Sequence, residues 1–444
     1  MPAYFCELLK KILIVYKLLL LMLCLCFTGA AYSQFLVEML DTTRNEHKGL
    51  YYSLKKLDHI RISGYMQPQF QVTTRKGSDG YSGGDFQPNA NNRFMLRRGR
   101  IRFDYAGFTS DNKPSHQFVF QFDGTERGVN IRDFWGRYYE NRLELFSITG
   151  GMFARPFGYE INLSSSDREA PERGRASQIL MRTERDLGAM ISLESRNSKN
   201  WLNYFKMDAG FFNGQGLTGP ADFDSYKDFI ARAALKPYPL SKKTFLSAGL
   251  SFFHGGFLQN TKYTYRTEAK AGAPVFAVDS SLSNIGTKSP RRYRGADVQF
   301  KVKHGWGATE LRAEYWRGTQ TATALSSETP GTLLNEPHYI RHFDAAFFVF
   351  LQNIGDARHQ VGVKYDWYDP NTDVSGGQIG NAGANFTQAD VRYNTWGFGY
   401  LYYINDNLKL TLWYDHVKNE STTLPGFTRD LDDDVFTCRL QFRF

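Results

Sequence analysis

Three arginines at alternate positions, Arg98, Arg100 and Arg102, are the residues of this chain best spaced to handle charge. On an extended strand, residues two apart share a face and stand roughly 7 Å apart. Three guanidiniums in such a row make a ladder, and each rung offers forked donors to an anion. Ile101, Phe103 and Tyr105 take the opposite face. The competing reading is structural: the same arginines pair with Asp104, Asp123 or Asp133 and set the shape of a wall. Residues suited to bond chemistry are poorly represented. His342 with Asp344, and Asp415 with His416, have no nucleophile or motif beside them. The acidic run Asp430, Asp432, Asp433 and Asp434 lacks the pattern of a Ca²⁺ loop. No enzymatic activity, cofactor or metal is expected.

The elements that would position such a ladder have period two. Phe436, Cys438, Leu440, Phe442 and Phe444 alternate with Thr437, Arg439, Gln441 and Arg443. The same alternation recurs over 408–415, 359–368, 297–303, 187–194 and 117–123. Such strands have one oily and one polar face. They suit a soluble sandwich, or a membrane barrel whose oily face meets lipid and whose polar face lines a wet lumen. The connections decide between them. Short turns at 140–142, 195–200, 304–307, 352–357 and 404–407 alternate with long polar loops at 73–92, 157–181, 213–226, 255–293, 319–340, 370–389 and 419–431. Short turns on one rim and long loops on the other are the asymmetry of an outer-membrane barrel. An all-β, transmembrane antiparallel β-barrel of about sixteen strands is therefore expected over residues 60–444. Trp316, Trp367, Trp396, Tyr402 and Tyr403 are expected to supply its aromatic girdles.

Composition agrees with export. The chain has 444 residues, 42 % of them hydrophobic, and a formal net charge of +9, which excludes a disordered chain. Ile12 to Phe27 is the one long apolar run; it follows Lys10 and Lys11 and precedes Ala31-Tyr32-Ser33. Residues 1–33 are read as a signal peptide, and 34–59 as a periplasmic N-terminal extension. Cleavage after Ser33 would leave Cys438 as the sole cysteine, with no intramolecular disulfide. Export also sets nucleic acid aside as a partner for the positive charge. Outer-membrane lipid, lipopolysaccharide and small anions remain.

Arg61-Ile62-Ser63-Gly64-Tyr65-Met66-Gln67, Arg97-Arg98-Gly99-Arg100-Ile101-Arg102-Phe103, Ile131-Arg132-Asp133-Phe134-Trp135 and Gly151-Met152-Phe153-Ala154-Arg155-Pro156-Phe157-Gly158 together resemble the phosphate-selective porin O/P family of Gram-negative outer membranes. The motifs cover roughly residues 60–195, and the second half is similar mainly in architecture. The resemblance implies a sixteen-stranded, usually homotrimeric barrel whose third long loop, here 157–181, folds inward as a constriction. Ala154 stands where the family often has Lys or Arg.

Strand parity then gives the expected lining. Arg98, Arg100, Arg102, Arg155, Lys301, Lys303 and Arg439 point inward, and Arg168, Arg173, Arg175 and Arg182 lie on or beside the constriction loop. A loop pinned to the wall by salt bridges is the bland alternative for Arg168, Arg173 and Arg175. Inward cations slightly outnumber inward carboxylates. The expected function is passive diffusion of small polar or anionic solutes, phosphate among them. The alternative is a plugged structural or partner-binding barrel.

Overall fold

The computed structural model describes residues 59–197, 201–218 and 221–444. The expected signal peptide, and the expected extension apart from His59, lie outside the described residues. The first nine strands are β1 (Ile60–Thr73), β2 (Asn92–Phe108), β3 (Pro114–Thr125), β4 (Gly128–Tyr139), β5 (Phe146–Ala154), β6 (Arg185–Glu194), β7 (Phe205–Phe212), β8 (Asp228–Pro239) and β9 (Thr244–Leu258). A hairpin of β10 (Thr264–Lys270) and β11 (Ala273–Asp279) follows. The remainder are β12 (Lys288–His304), β13 (Gly307–Ala322), β14 (His338–Ile354), β15 (Asp356–Asp369), β16 (Tyr393–Asn405), β17 (Leu408–Asn419) and β18 (Val435–Arg443).

Each barrel strand pairs antiparallel with its neighbours. β9 pairs directly with β12, from Leu258 opposite Lys288 to Thr244 opposite Val302, so β10 and β11 stand outside the ring. β18 returns to β1, Tyr65 opposite Arg443, and the Phe444 and Gly64 backbones exchange hydrogen bonds at 3.0 and 3.1 Å. The result is a closed antiparallel barrel of sixteen strands, as the alternation predicts. Closure removes every free edge, which is what permits strands to sit in lipid.

The pleat sorts the side chains. Ile148, Leu187, Ile191, Met207, Phe211, Leu250, Leu311, Phe348 and Phe398 are exposed on the outside, an apolar surface of the kind that faces hydrocarbon. The polar partners of the alternation turn inward and are buried, Gln67, Gln69, Gln71, Thr437, Arg439 and Gln441 among them. The connections 109–113, 140–145, 240–243, 305–306 and 406–407 form the short-turn rim. One opposite-rim connection escapes the sequence pattern: Thr125 is opposite Gly128 in a tight β3–β4 turn, among otherwise long loops.

The girdle expectation needs correction at two positions. Trp396 is exposed on the outer face, and Trp367 packs at the outer surface beside Tyr315, ring centres 6.4 Å apart. Trp316 and Tyr403 have the other parity. Trp316 is buried against Phe157 inside the barrel, and Tyr403 packs on the interior cluster of Ala170, Leu401 and Trp413. Aromatic type alone does not report the face; pleat phase does.

Candidate functional site in the barrel lumen

The segment between β5 and β6, residues 155–184, leaves the wall and crosses the lumen. It carries one short helix, α1 (Arg175–Leu180). This is the inward-folded constriction loop, the third connection on the long-loop rim and, because β3–β4 is a tight turn, the second long one. Its apolar residues Phe157, Ile161, Ile179, Leu180 and Met181 meet inward residues of the wall, including Phe253, Tyr293, Trp316, Phe343 and Tyr368. Together they form one hydrophobic core, separate from the smaller cluster around Trp413. Strand alternation predicts a wet lumen throughout. The structure corrects this: part of the lumen is a dry core, built from inward aromatics that break the polar parity.

The loop's polar groups bind the wall around much of its circumference. Glu314 on β13 accepts from the backbone N–H groups of Tyr159 and Glu160, both at 2.9 Å. Arg312 on the same strand clamps Glu169 in a forked pair at 2.8 and 3.1 Å. Glu160 meets Lys364 of β15 at 3.5 Å and accepts from the Gly174 N–H at 2.9 Å. Lys409 of β17 donates to the Ser166 carbonyl at 3.0 Å.

Glu172 is the densest junction. It receives Arg97 at 2.9 Å, Arg98 at 2.6 Å and Arg439 at 2.9 Å. Burial pushes its carboxyl up, but the guanidiniums of Arg97, Arg98 and Arg439 outweigh this and hold it well below the usual carboxylate range. One loop carboxylate thus ties together β2 and β18.

Several expected lining residues are therefore engaged or buried. Arg98 and Arg439 hold Glu172, and Arg439 also donates to the Pro171 carbonyl at 2.7 Å. Arg155 is 2 % exposed; it donates to the Thr183 carbonyl and lies 3.9 Å from Asp186. As a pore-lining residue it is corrected to a residue of the loop's root. Arg175 is sandwiched between the rings of Tyr81 and Tyr393, at 4.2 and 3.6 Å from their centroids. Arg168 is buried, with a 3.4 Å hydrogen bond to the Leu163 carbonyl. Arg173 donates to the carbonyls of Ser177 and Met181 at 3.3 and 3.2 Å. Arg182 pairs with Glu328, 3.2 Å away, and its side chain is 57 % exposed. Lys301 pairs with Glu310 at 3.3 Å on the wall, and Lys303 stands exposed at the short-turn rim. Of Arg168, Arg173 and Arg175, Arg173 alone is ion-paired, with Glu184 at 3.6 Å; Arg168 is held by a carbonyl and Arg175 by aromatic rings.

A connected run of charge remains on the wall of β2, β3, β4 and β6. Arg100 lies 2.9 Å from Asp123, which lies 3.7 Å from Arg132. Arg132 reaches Glu184 at 2.8 Å, Glu184 reaches Arg185 at 3.7 Å, and Arg185 reaches Asp133 at 3.2 Å. Arg173 joins from the loop, 3.6 Å from Glu184. Arg102 pairs with Asp104 at 2.7 Å and keeps a third of its side chain exposed. Arg132 and Arg185 are the members that sequence reasoning left out of the lining. A bulge between Gln121 and Phe122 shifts the β3–β4 register at Arg132, and such an offset carries no clear sequence signal. Further toward the short-turn rim, Glu194, Lys206 and Lys236 are partly exposed and paired at 3.0 to 3.8 Å.

A sixteen-strand ring with an oily exterior and a loop across its bore matches a known architecture. The fold is that of the outer-membrane barrels. It is similar to the outer-membrane channel DcaP of Acinetobacter baumannii, with a TM-score of 0.52, 11 % identity, and coverage of 87 % of this chain and 97 % of that one. It is equally similar to Pseudomonas putida OprB, with a TM-score of 0.52, 11 % identity, and coverage of 87 % and 94 %. OmpT, an outer membrane protein of Vibrio cholerae, aligns over 87 % of this chain and 99 % of its own at 10 % identity and a TM-score of 0.48. No protein-family profile and no curated protein sequence matches the chain. The barrel thus matches outer-membrane proteins of Gram-negative bacteria, while the phosphate-selective family is not established by sequence.

Proposed function

We propose that this barrel is an outer-membrane channel for passive diffusion of small polar solutes, with a weak preference for anions. The run of alternating charge from Arg100 to Asp133 carries the reading. Opposite charges fixed on one wall orient polar solutes without holding them, and conduction requires binding weak enough for release. Arg102 and the guanidiniums beside it tilt the balance toward anions. Capture of phosphate would need guanidiniums free to form forked contacts. Arg98 and Arg100 already have carboxylate partners, so phosphate is proposed to pass as one small anion among others. A homotrimer, implied by the family resemblance, is part of this reading and is tested by mass photometry of the purified protein.

The dry core between the loop and β9, β12, β13 and β14 favours a second reading, a plugged barrel whose outer loops bind a partner. Planar-bilayer conductance under a KCl gradient separates the two. An open channel with a mildly anion-leaning reversal potential, and no block by added phosphate, is expected. Block by micromolar phosphate would restore a phosphate-capturing channel. Absence of conductance would overturn the transport reading in favour of the plug.

A further inference from the structure

The outer face of β9, β12, β13 and β14 carries cations where the pleat elsewhere places apolar residues. Along β12 the outward residues are Val302, Phe300, Val298 and Ala296, then Arg294 and Arg292 toward the long-loop rim. On β13 they are Leu311, Ala313 and Tyr315, then Arg317. Tyr315 and Trp367 pack together at the level of this change, where an outer aromatic girdle is expected. The cations begin one pleat above it.

Arg294 stands directly opposite Arg317 in the β12–β13 register. Arg292 lies one pleat higher, opposite His254 of β9. All four side chains belong to exposed residues. Like charges directly opposite one another repel. Yet Arg292, Arg294 and Arg317 form no ion pair or hydrogen bond with any described residue. The carboxylate nearest in register, Asp344 opposite Arg317, is engaged by Tyr315 Oη at 3.3 Å and Trp367 Nε1 at 3.1 Å. Asp373, nearby, is taken by His342 Nδ1 at 2.8 Å. The protein brings guanidiniums together on its outward surface, one pleat above the aromatic residues, and no carboxylate among the described residues contacts them.

We propose that Arg292, Arg294 and Arg317 form a docking site for the phosphate groups of a phosphorylated lipid headgroup in the outer leaflet. Arginine's planar fork matches phosphate oxygens two at a time. The apolar strip below, Val298, Phe300 and Leu311, would take the acyl chains. A headgroup phosphate between Arg294 and Arg317 turns their repulsion into a shared contact. The inference rests on residence of the barrel in the outer membrane and is independent of whether the lumen conducts.

The test is native mass spectrometry of the full-chain protein in detergent, titrated with diphosphoryl lipid A and with its dephosphorylated form. The R294Q/R317Q variant is expected to bind diphosphoryl lipid A about tenfold more weakly than the parent, the loss expected for charge-assisted hydrogen bonds. The dephosphorylated lipid should bind both proteins alike. A K242Q/K243Q variant, which removes two exposed cations from the opposite rim, should match the parent. Equal affinity of parent and R294Q/R317Q overturns the proposal, as does binding indifferent to phosphate. So does a variant that loses its oligomer while keeping its lipid affinity, which would assign this face to a subunit contact. Should R294Q/R317Q not fold, the parent alone decides: its affinity for diphosphoryl lipid A must fall with added KCl, and a salt-independent affinity refutes the site. Conductance of the same preparations, expected to be equal, keeps failure of this site distinct from failure of the channel reading.

Discussion

At the residue scale, neighbouring arginines of the same ladder have different work. Arg98 is buried on Glu172, whereas Arg102 keeps a third of its side chain exposed beside Asp104. One charge about 7 Å from an ion in water is worth about 0.6 kcal/mol, a factor of two to three in the permeability of that ion. The charge acts with opposite sign on the two ions, so Arg102→Gln is expected to lower the chloride-to-potassium permeability ratio by about that factor squared, roughly five- to eightfold, read from the reversal potential. Arg98→Gln should leave the ratio nearly unchanged and loosen the loop instead. Glu172→Gln removes the anion shared by Arg97, Arg98 and Arg439. Breaking a buried pair by removing one partner costs about 3–5 kcal/mol, so noisy, larger conductance and a lower unfolding temperature are expected. The pH dependence has a definite sign. A carboxyl held below its ordinary range stabilises the fold at neutral pH, and that contribution is lost only as pH falls through the depressed value. Glu172 and Glu184 are both held well below it, burial opposing and the flanking guanidiniums prevailing. Channel noise should stay constant from pH 7 down to about the ordinary glutamate value of 4.3 and rise only in stronger acid. A rise between pH 7 and 5 would contradict the pairing. The ladder was visible in the sequence because spacing two is a local property. Which of its rungs is spoken for depends on Glu172, distant along the chain and therefore invisible to spacing.

At the scale of elements, the 155–184 segment and the β10–β11 hairpin are opposites. The segment is held by its core. Phe157 is fully buried, with its ring 5.0 Å from Trp316 and 6.1 Å from Tyr293. Phe157→Ala is expected to cost about 3–5 kcal/mol in lost packing, concentrated on the docked loop rather than on the barrel wall. Its measurable outcome is higher single-channel conductance with the barrel still resistant to detergent unfolding; unchanged conductance would mean that the loop does not gate the bore. Among the described residues the hairpin meets the ring mainly through the three-residue parallel pairing of β10 with β14, a small apolar cluster around Phe276 and Tyr339, and the Arg341 guanidinium 5.4 Å from the Phe276 ring centroid. Because β9 and β12 pair without it, a chain lacking residues 262–284 is expected to close its barrel, shown by the usual mobility shift on heating. The strands were legible as strands from their alternation. The hairpin was hidden inside what reads as one long loop: β10 alternates Arg266, Glu268 and Lys270 with Tyr265, Thr267 and Ala269, but β11, with Pro274 in a run of apolar residues, has no polar face to match it.

At the scale of the whole molecule, closure is the decisive event. The last strand must reach the first, and Gly64 shows how tightly they meet: a Cβ there would lie 2.6 Å from both the Phe444 ring and the Arg100 carbonyl. Gly399 plays a similar part inside, where a Cβ would lie 1.9 Å from the Trp413 ring. What the sequence determined by itself was everything that follows from period two and from the placing of turns. That comprises the barrel class, the strand number, the inward side of the strands that alternate cleanly and the two unlike rims, because the pleat couples each residue's face to its neighbour's without reference to the rest of the chain. What only the tertiary structure decided was what fills the ring. The dry core around Phe157, the capture of Arg98 and Arg439 by Glu172, the shift of register at Arg132 and the unneutralised pair Arg294 and Arg317 all arise from contacts between segments far apart in sequence or from offsets between strands. Their partners are selected by the curvature of a closed sheet, and a one-dimensional pattern carries no record of curvature.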